Sequence, residues 1–523
     1  MMFLYFGVLI AIGYIASRRI HGIRDFFVGG KSLGYWVAAF STQATGESAW
    51  LLLGLTGMGA VAGVSAYWVV VGELVGVSVA WFLMAKRFKA LTDHYDSLTV
   101  TDFLVSRFRQ KSHLLRLVAT VSLTAFVLAY ISAQIDATGS AFERFLGWDY
   151  HLGAVIGFVV VVIYCVLGGF LAVAWTDLFQ GVVMLVCLVA LPLVAWYSLD
   201  PSVGLFEKLA SIDPALVSIT GSTQVSLMSV LTIVGMMLIG LGFMGSPQIF
   251  VRFIAIKSEQ EIQKGRWVAV AFTLLVDTSA VSIGLIGRYL FTDTGTDPTS
   301  VLGNGAQNVL PELVEHVFPS ILVGLYIAAV LAAIMSTVSS LLIMAAGAVT
   351  HDFYQVIVNP ALADHQAARF SRWVTVSLAV IALGVALTVS VLSPDRTIFW
   401  FVIFGWSGIA ATFCPMMILS LFWKQYTASG AISSMLVGFL AIPLFKFVVQ
   451  NFESVGPHFT ALEALPPAFA LSLTAGFLVS LLSRNQAQQD AYLSDLATTD
   501  PNFTDSRVFG PNDENSQHHI PGA

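Results

Sequence analysis

The sequence predicts an all-α polytopic membrane protein, and three observations carry that prediction. Of its 523 residues, 57% are hydrophobic. Only 11% are charged, against about 25% in a soluble globular chain. The apolar residues also fall into runs of about 20, the length that crosses the hydrocarbon core of a bilayer as a helix. Cys165, Cys187 and Cys414 each lie inside such a run. They have neither disulfide nor metal-ligand spacing and read as small core residues.

The first span, 2–17, ends in Ser17-Arg-Arg19. A cleavable leader places its basic residues before the apolar run, so this segment reads as a retained span with its N-terminus outside. The second span, 35–60, contains Ser41-Thr-Gln-Ala-Thr-Gly-Glu-Ser-Ala-Trp50. Gly46, hydroxyls, an amide and a carboxylate at mid-membrane depth predict a break between Ala44 and Ser48. Irregular backbone at that depth is tolerated only where it is buried in protein or lines a watery cavity. Its freed carbonyls and hydroxyls suit a solute or a cation.

Spans at 65–85, 114–142, 152–169 and 176–198 follow. The seventh, 227–250, carries Gly235, Gly240, Gly242, Gly245 and Pro247 and is expected to unwind as well. Spans at 267–291, 317–347, 371–392, 398–423, 429–449 and 464–483 bring the expected total to about thirteen. The long connections near 199–226 and 292–316 are rich in Pro, Gly, Asp and Thr. They are either lids with short helices or plain connectors. From Asn485 the chain turns polar, and 484–523 is expected to be a disordered tail.

Charge sets the expected orientation. With the N-terminus outside, only Arg144, Lys208, Arg288, Arg396 and Lys446 of the 25 Lys and Arg residues fall on the outer side. That excess of basic residues on the inner side predicts an odd number of spans and a cytoplasmic C-terminus in the cell membrane. The two interrupted spans, second and seventh, are five apart, as expected of two inverted five-helix repeats. The domains then read as an extra N-terminal span and loop (1–34), a ten-helix core (35–423), two accessory spans (424–483) and the tail (484–523).

No enzyme motif is present. His21, His94, His113, His151, His351, His365, His458, His518 and His519 fall mostly in loops and the tail, and Gly29-Gly30 lacks the spacing of a phosphate loop.

Several motifs point to a family. They are Phe27-Val-Gly-Gly-Lys-Ser-Leu-Gly34, Trp50-Leu-Leu-Leu-Gly-Leu-Thr-Gly57, Leu98-Thr-Val-Thr-Asp-Phe103 with Arg107-Phe108, Gly168-Gly-Phe-Leu-Ala-Val-Ala-Trp-Thr-Asp-Leu-Phe-Gln180, Gly245-Ser-Pro247 with Arg252-Phe253, and Leu331-Ala-Ala-Ile-Met-Ser-Thr-Val-Ser-Ser340. From about Asp25 to Arg484 the chain resembles the sodium/solute symporters, most closely the sodium/proline symporters.

The resemblance implies a leucine-transporter-type fold. It also implies sodium-coupled import of a small solute, proline or a related amino acid, by alternating access. The alternatives are another amino acid, a cationic solute or a carboxylate, proton coupling, or a transport-like sensor. Sodium and the solute are the implied ligands, with the lipid bilayer as surroundings, a monomer sufficient for transport and no nucleic acid. The implied sodium ligands are the carbonyls of Ala44, Glu47 and Ala333 and the hydroxyls of Ser336 and Thr337. Hard cations take oxygen ligands. Such hydroxyls also bond back to a carbonyl one turn earlier in their own helix.

The implied solute pocket comprises Gln43, Trp50, Tyr130, Ile239 and Phe243. Ile239 and Phe243 stand where the family has tryptophan and tyrosine, which removes two hydrogen-bond donors. Asp177 is implied in ion release, or caps its helix. Lys31 is implied in gating, or anchors the inner surface. The family aspartate at position 46 is absent, and Glu47 follows directly. Glu47, Glu73, Asp136 and Asp277 are intramembrane acids that need an explanation. Glu47 reads as a site residue, Glu73 and Asp277 as packing residues that bond neighbouring helices, and Asp136, facing away from Tyr130, as structural.

Overall fold

The computed structural model describes residues 2–19, 22–393 and 396–500. His21, Arg507, His518 and His519, with the tail from residue 501, lie outside the described residues. Among those described there is no strand, only a single bridge between Leu33 and Ile256. Ten helical stretches are long and apolar enough to cross a bilayer, and Leu4–Ser17 is a shorter apolar one.

Two of the ten are long enough for two crossings at 1.5 Å per residue. Tyr35–His94 has 60 residues and Tyr150–Ser198 has 49. The first changes direction at Gly63 (φ 63°, ψ −140°) and the second at Gly169 (φ 50°, ψ −152°). These are backbone angles that glycine adopts without the Cβ clash other residues meet.

The helices that build the core are α1 (Met2–Ser17), α2 (Tyr35–Ala49), α3 (Tyr67–Ser78), α4 (Leu114–Leu146) and α5 (Tyr150–Ala195). They continue with α6 (Leu227–Leu238), α7 (Pro247–Ala255), α8 (Glu259–Phe291) and α9 (Ser320–Gly347). Then follow α10 (Asp364–Leu392), α11 (Ile398–Phe422), α12 (Ala428–Phe447), α13 (Leu465–Leu482) and α14 (Gln486–Thr499). α2, α5 and α9 pack mutually, α8 flanks α2, and α4 lies against α9 and α11. α9 is buried along nearly its whole length from Tyr326 onward, as an element at the centre of a bundle must be.

Both interruptions read from the sequence are present. α2 ends at a non-helical Ser48 and passes into a wide π-turn over Trp50–Leu55. α6 tightens into a 3₁₀ segment, Ile239–Phe243, and restarts as α7 at Pro247. Proline at a first helical position has no amide hydrogen to lose. The two long connections near 199–226 and 292–316 carry the short helices Leu205–Ile212 and Val309–Val317.

The expected disordered tail is corrected over Gln486–Thr499, which form α14. Its polar outer face hid an inner edge that the core fixes. The Tyr492 hydroxyl donates to the Leu421 carbonyl at 2.7 Å, Arg109 donates to Asp495 at 2.6 Å, and the Arg107 guanidinium lies 3.3 Å from the Tyr492 ring centroid.

Candidate functional site at the broken helix

The site grows from Ser48. Its φ of 52° and ψ of −167° lie in a region that costs a non-glycine residue about 1–3 kcal/mol and recurs at ligand sites. The break frees backbone groups, and side chains collect them. The Ala49 amide donates to Gln134 Oε1 of α4 at 3.0 Å, and the Trp50 amide donates to Ser48 Oγ at 3.3 Å and to the Glu47 carbonyl. Gln134 is a residue that sequence reasoning missed; only its polarity within an apolar run marks it.

Four of the five implied sodium ligands come together. Ser336 Oγ donates to the Ala44 carbonyl at 2.8 Å and to Ala333 at 3.0 Å. Thr337 Oγ1 donates to the Thr45 carbonyl at 3.0 Å and to Ala333 at 3.2 Å. Each hydroxyl therefore bonds back along α9 and also across to α2. The fifth implied ligand, the Glu47 carbonyl, is engaged by Trp50; the carbonyl that meets Thr337 is that of Thr45.

Asp177 does not cap a helix. It lies inside α5, fully buried, and is paired with Arg252 of α7 at 3.0 Å. Ser41 Oγ donates to it at 2.6 Å, while Arg252 also reaches Ser41, Thr45 and Ser340. Arg252 thus ties α2, α5, α7 and α9 at one point. The sequence showed it only as part of Arg252-Phe253.

Lys31 bonds Asp93 at 3.0 Å and the Thr92 carbonyl at 3.2 Å, which fixes the 29–33 turn to the end of the helix Ala85–His94. Asp136 accepts the Tyr150 hydroxyl at 2.5 Å and pairs with Arg396, the structural role expected of it.

The implied solute residues are buried around the break. The Trp50 ring packs on Phe399 with centroids 5.5 Å apart. Tyr130, Trp406 and Phe243 form a chain of rings with centroid separations of 6.4 and 5.2 Å. Phe243 covers Gly46, where a Cβ would lie 2.6 Å from the ring. A side chain at position 46, where the resemblance implies an acid, would have to displace that ring. Trp406, also missed, brings back an indole, but its Nε1 donates to the Ile239 carbonyl at 3.1 Å. Gln43 Nε2 is bonded to Thr273 of α8. Phe399 also lines a cavity of about 210 Å³ with Leu53, Met58, Gln307 and Thr397, on the side of Trp50 toward the connection at 304–307.

Glu73 and Asp277, expected to serve packing alone, instead meet Glu47. The three carboxylates converge from α3, α8 and α2, with an oxygen of each within 4.8 Å of the others.

Comparison with known proteins places the chain. The sequence pattern of the sodium:solute symporter family matches residues 26–438. The High-affinity proline transporter PutP of Bacillus subtilis (strain 168) is 34% identical over 485 residues, covering 92% of this chain and 97% of the relative. The chain belongs to the sodium:solute symporter family.

The symporter is also 32% identical to the Osmoregulated proline transporter OpuE of Bacillus subtilis (strain 168), over 93% of its own length and 94% of that relative. Its fold is that of a Na+-coupled sialic acid symporter solved substrate-bound and outward-open, with a TM-score of 0.74 at 18% identity, covering 92% of this chain and 96% of that one. MhsT in complex with L-phenylalanine matches at a TM-score of 0.52 and 13% identity, over 85% of this chain and 98% of that one. The leucine-transporter-type architecture expected from the paired interruptions is the one found. The symporter is a multi-pass membrane transporter, with sodium as its co-transported ion.

Proposed function

We propose that this chain imports proline, or a closely related small amino acid, together with sodium across the cell membrane by alternating access. The observation that carries the reading is the double bridge from Ser336 and Thr337 to the Ala44 and Thr45 carbonyls. It joins the broken end of α2 to α9 through the oxygens a hard cation wants. The identity to two proline transporters supports the solute.

Sodium inserts among the carbonyls of Ala44, Thr45 and Ala333 and the two hydroxyls, and replaces their direct bonds. It thereby sets the distance between α2 and α9. The solute binds on the aromatic side of the break, with its apolar body against Trp50, Tyr130, Phe243 and Trp406. Sodium and solute each order the same segment, so each raises the affinity for the other by the same factor. The Arg252–Asp177 pair lies beside the junction, through Thr45 and Ser340, and holds α5 and α7 to the same segment, and its parting opens the path for ion release. Lys31 and Asp93 close the inner surface.

The chain crosses the membrane thirteen times with its N-terminus outside and its C-terminus in the cytoplasm. A monomer suffices for transport, and no enzymatic step is involved.

The test is uptake into proteoliposomes with imposed sodium or proton gradients, using proline, small neutral and basic amino acids and short carboxylates. Sodium-driven proline accumulation is the expected result. Proline entering only down its own gradient would overturn the coupling, and accumulation of a different solute alone would overturn the substrate.

A further inference from the structure

We infer that Glu47, Glu73 and Asp277 form a second cation site, separate from the junction of α2 with α9 and built from side-chain carboxylates on α2, α3 and α8.

Convergence is the first observation. One oxygen from each residue lies within 4.8 Å of the other two, and the three residues are 0%, 1% and 0% exposed. Oxygens around a hard cation at about 2.4 Å stand about 3.4 to 4.8 Å from one another. Three helices distant in sequence thus deliver their acids to one point, no farther apart than the oxygens around a bound ion.

Satisfaction is the second. Both oxygens of Glu47, both of Asp277 and one of Glu73 are buried and meet no hydrogen-bond donor outside the three acids themselves. Gln43 Oε1, one turn before Glu47 on α2, is also buried and without a donor. The Gln43 amide nitrogen meets Thr273, which stands one turn before Asp277, so the same two helices are clamped immediately beside the acids. Buried carboxylate oxygens persist in this state where an ion, a water or a bound proton meets them.

The contrast within the protein is the third. Its other buried acids are matched by a guanidinium. Asp177 has Arg252 at 3.0 Å, Asp136 has Arg396, and Asp352 has Arg116 at 2.7 Å. Among the described residues no Lys, Arg or His pairs with Glu47, Glu73 or Asp277. The other titratable side chain that faces them is Tyr130 of α4, which carries no positive charge. The missing charge is therefore a mobile one. A sodium-sized cation neutralises one carboxylate, and protons neutralise the remainder.

This site shares the α2 break with the sodium junction but none of its oxygens. Ala44 and Thr45 turn their carbonyls to α9, whereas Glu47 turns its carboxylate to α3 and α8. A cation between α2 and α8 holds the break in place for the neighbouring junction, so the two occupancies reinforce each other.

Equilibrium binding of radioactive sodium to the purified full-length protein in lipid nanodiscs, with no organic solute present, tests the inference. A misassigned solute leaves this result untouched. The wild type is expected to bind two sodium ions per chain. Ser336→Ala/Thr337→Ala removes one, Glu73→Gln/Asp277→Asn removes the other, and the combination removes both. The ion retained by each double variant shows that it is folded.

Proton release in unbuffered solution is followed in parallel. One sodium per chain, with a proton movement lost in Glu73→Gln, identifies the second cation as a proton. One sodium per chain in the wild type, with no proton movement, overturns the site. The wild-type stoichiometry and proton signal decide this even if the variants fail to fold.

Discussion

Gly46→Ala is the smallest change that probes why this chain lacks the family acid in its broken helix. A Cβ added at Gly46 lies 2.6 Å from Phe243 Cε1 and 2.9 Å from Cζ. Real Cβ atoms essentially never come under 3.0 Å, so the ring has to retreat by about 0.8 Å to reach ordinary contact at 3.4 Å. Trp406 packs on the same ring, with centroids 5.2 Å apart, and blocks that retreat. The strain is relieved instead by movement of the break, which carries the Ala44 and Thr45 carbonyls away from Ser336 and Thr337.

Overpacking of a filled core costs about 1–3 kcal/mol. At 1.4 kcal/mol per factor of ten, sodium affinity should fall by about 5- to 150-fold. Sodium titration of the purified protein in nanodiscs measures this directly. The control is a double-mutant cycle. In a Phe243→Ala background the added methyl meets empty space, so Gly46→Ala should be nearly neutral, with a coupling energy of about 1–3 kcal/mol. Wild-type sodium affinity in Gly46→Ala, or the same loss with and without the Phe243 ring, would refute the argument.

Other outcomes follow from the same geometry. Ser336→Ala and Thr337→Ala should each raise the sodium concentration for half-maximal uptake several-fold while maximal uptake changes much less, read from sodium titration of transport. Arg252→Met leaves the buried Asp177 uncompensated, a loss of about 3–5 kcal/mol. It should lower the melting temperature in nanodiscs, and adding Asp177→Asn should recover part of the loss. Asp102, in the short helix Val100–Arg107, is only partly exposed, which opposes ionisation, but the bonds from His351 and Arg116 hold its carboxyl well below the ordinary 3.8. Its depressed value means that its contribution to stability is complete above about pH 4 and fades only as pH falls further. Asp102→Asn should therefore lower the melting temperature at pH 7, and the loss should shrink as the pH falls below about 3.8. Tyr492→Ala removes the ring beneath Arg107 and the bond to Leu421, and should speed tryptic cleavage at Arg484 by freeing α14.

Much of the fold was legible because its signals are local. A run of apolar residues is a helix in a bilayer wherever it lies, and hydroxyls beside Gly46 or a Gly-rich stretch before Pro247 mark an interruption without reference to any neighbour. Ala333, Ser336 and Thr337 are one turn apart, so their shared helix face could be read directly, and the motifs around them supplied the partner at Ala44. α14 was hidden by its composition: its polar face dominates the sequence, while Tyr492 and Asp495 gain meaning only against Arg107, Arg109 and Leu421.

What the sequence by itself determined was a bundle of membrane helices with two breaks and one hydroxyl-rich junction, because periodicity, length and helix-breaking residues act within a few turns. What only the tertiary structure decided was the pairing of charge. Arg252 with Asp177, Arg396 with Asp136, and the meeting of Glu47, Glu73 and Asp277 each join residues from segments far apart in the chain, and nothing within one helix records which partner its buried face will meet. An intramembrane acid announces a cost. Whether a guanidinium, a neighbouring helix or a mobile cation meets that cost depends on what the fold places within a few ångströms.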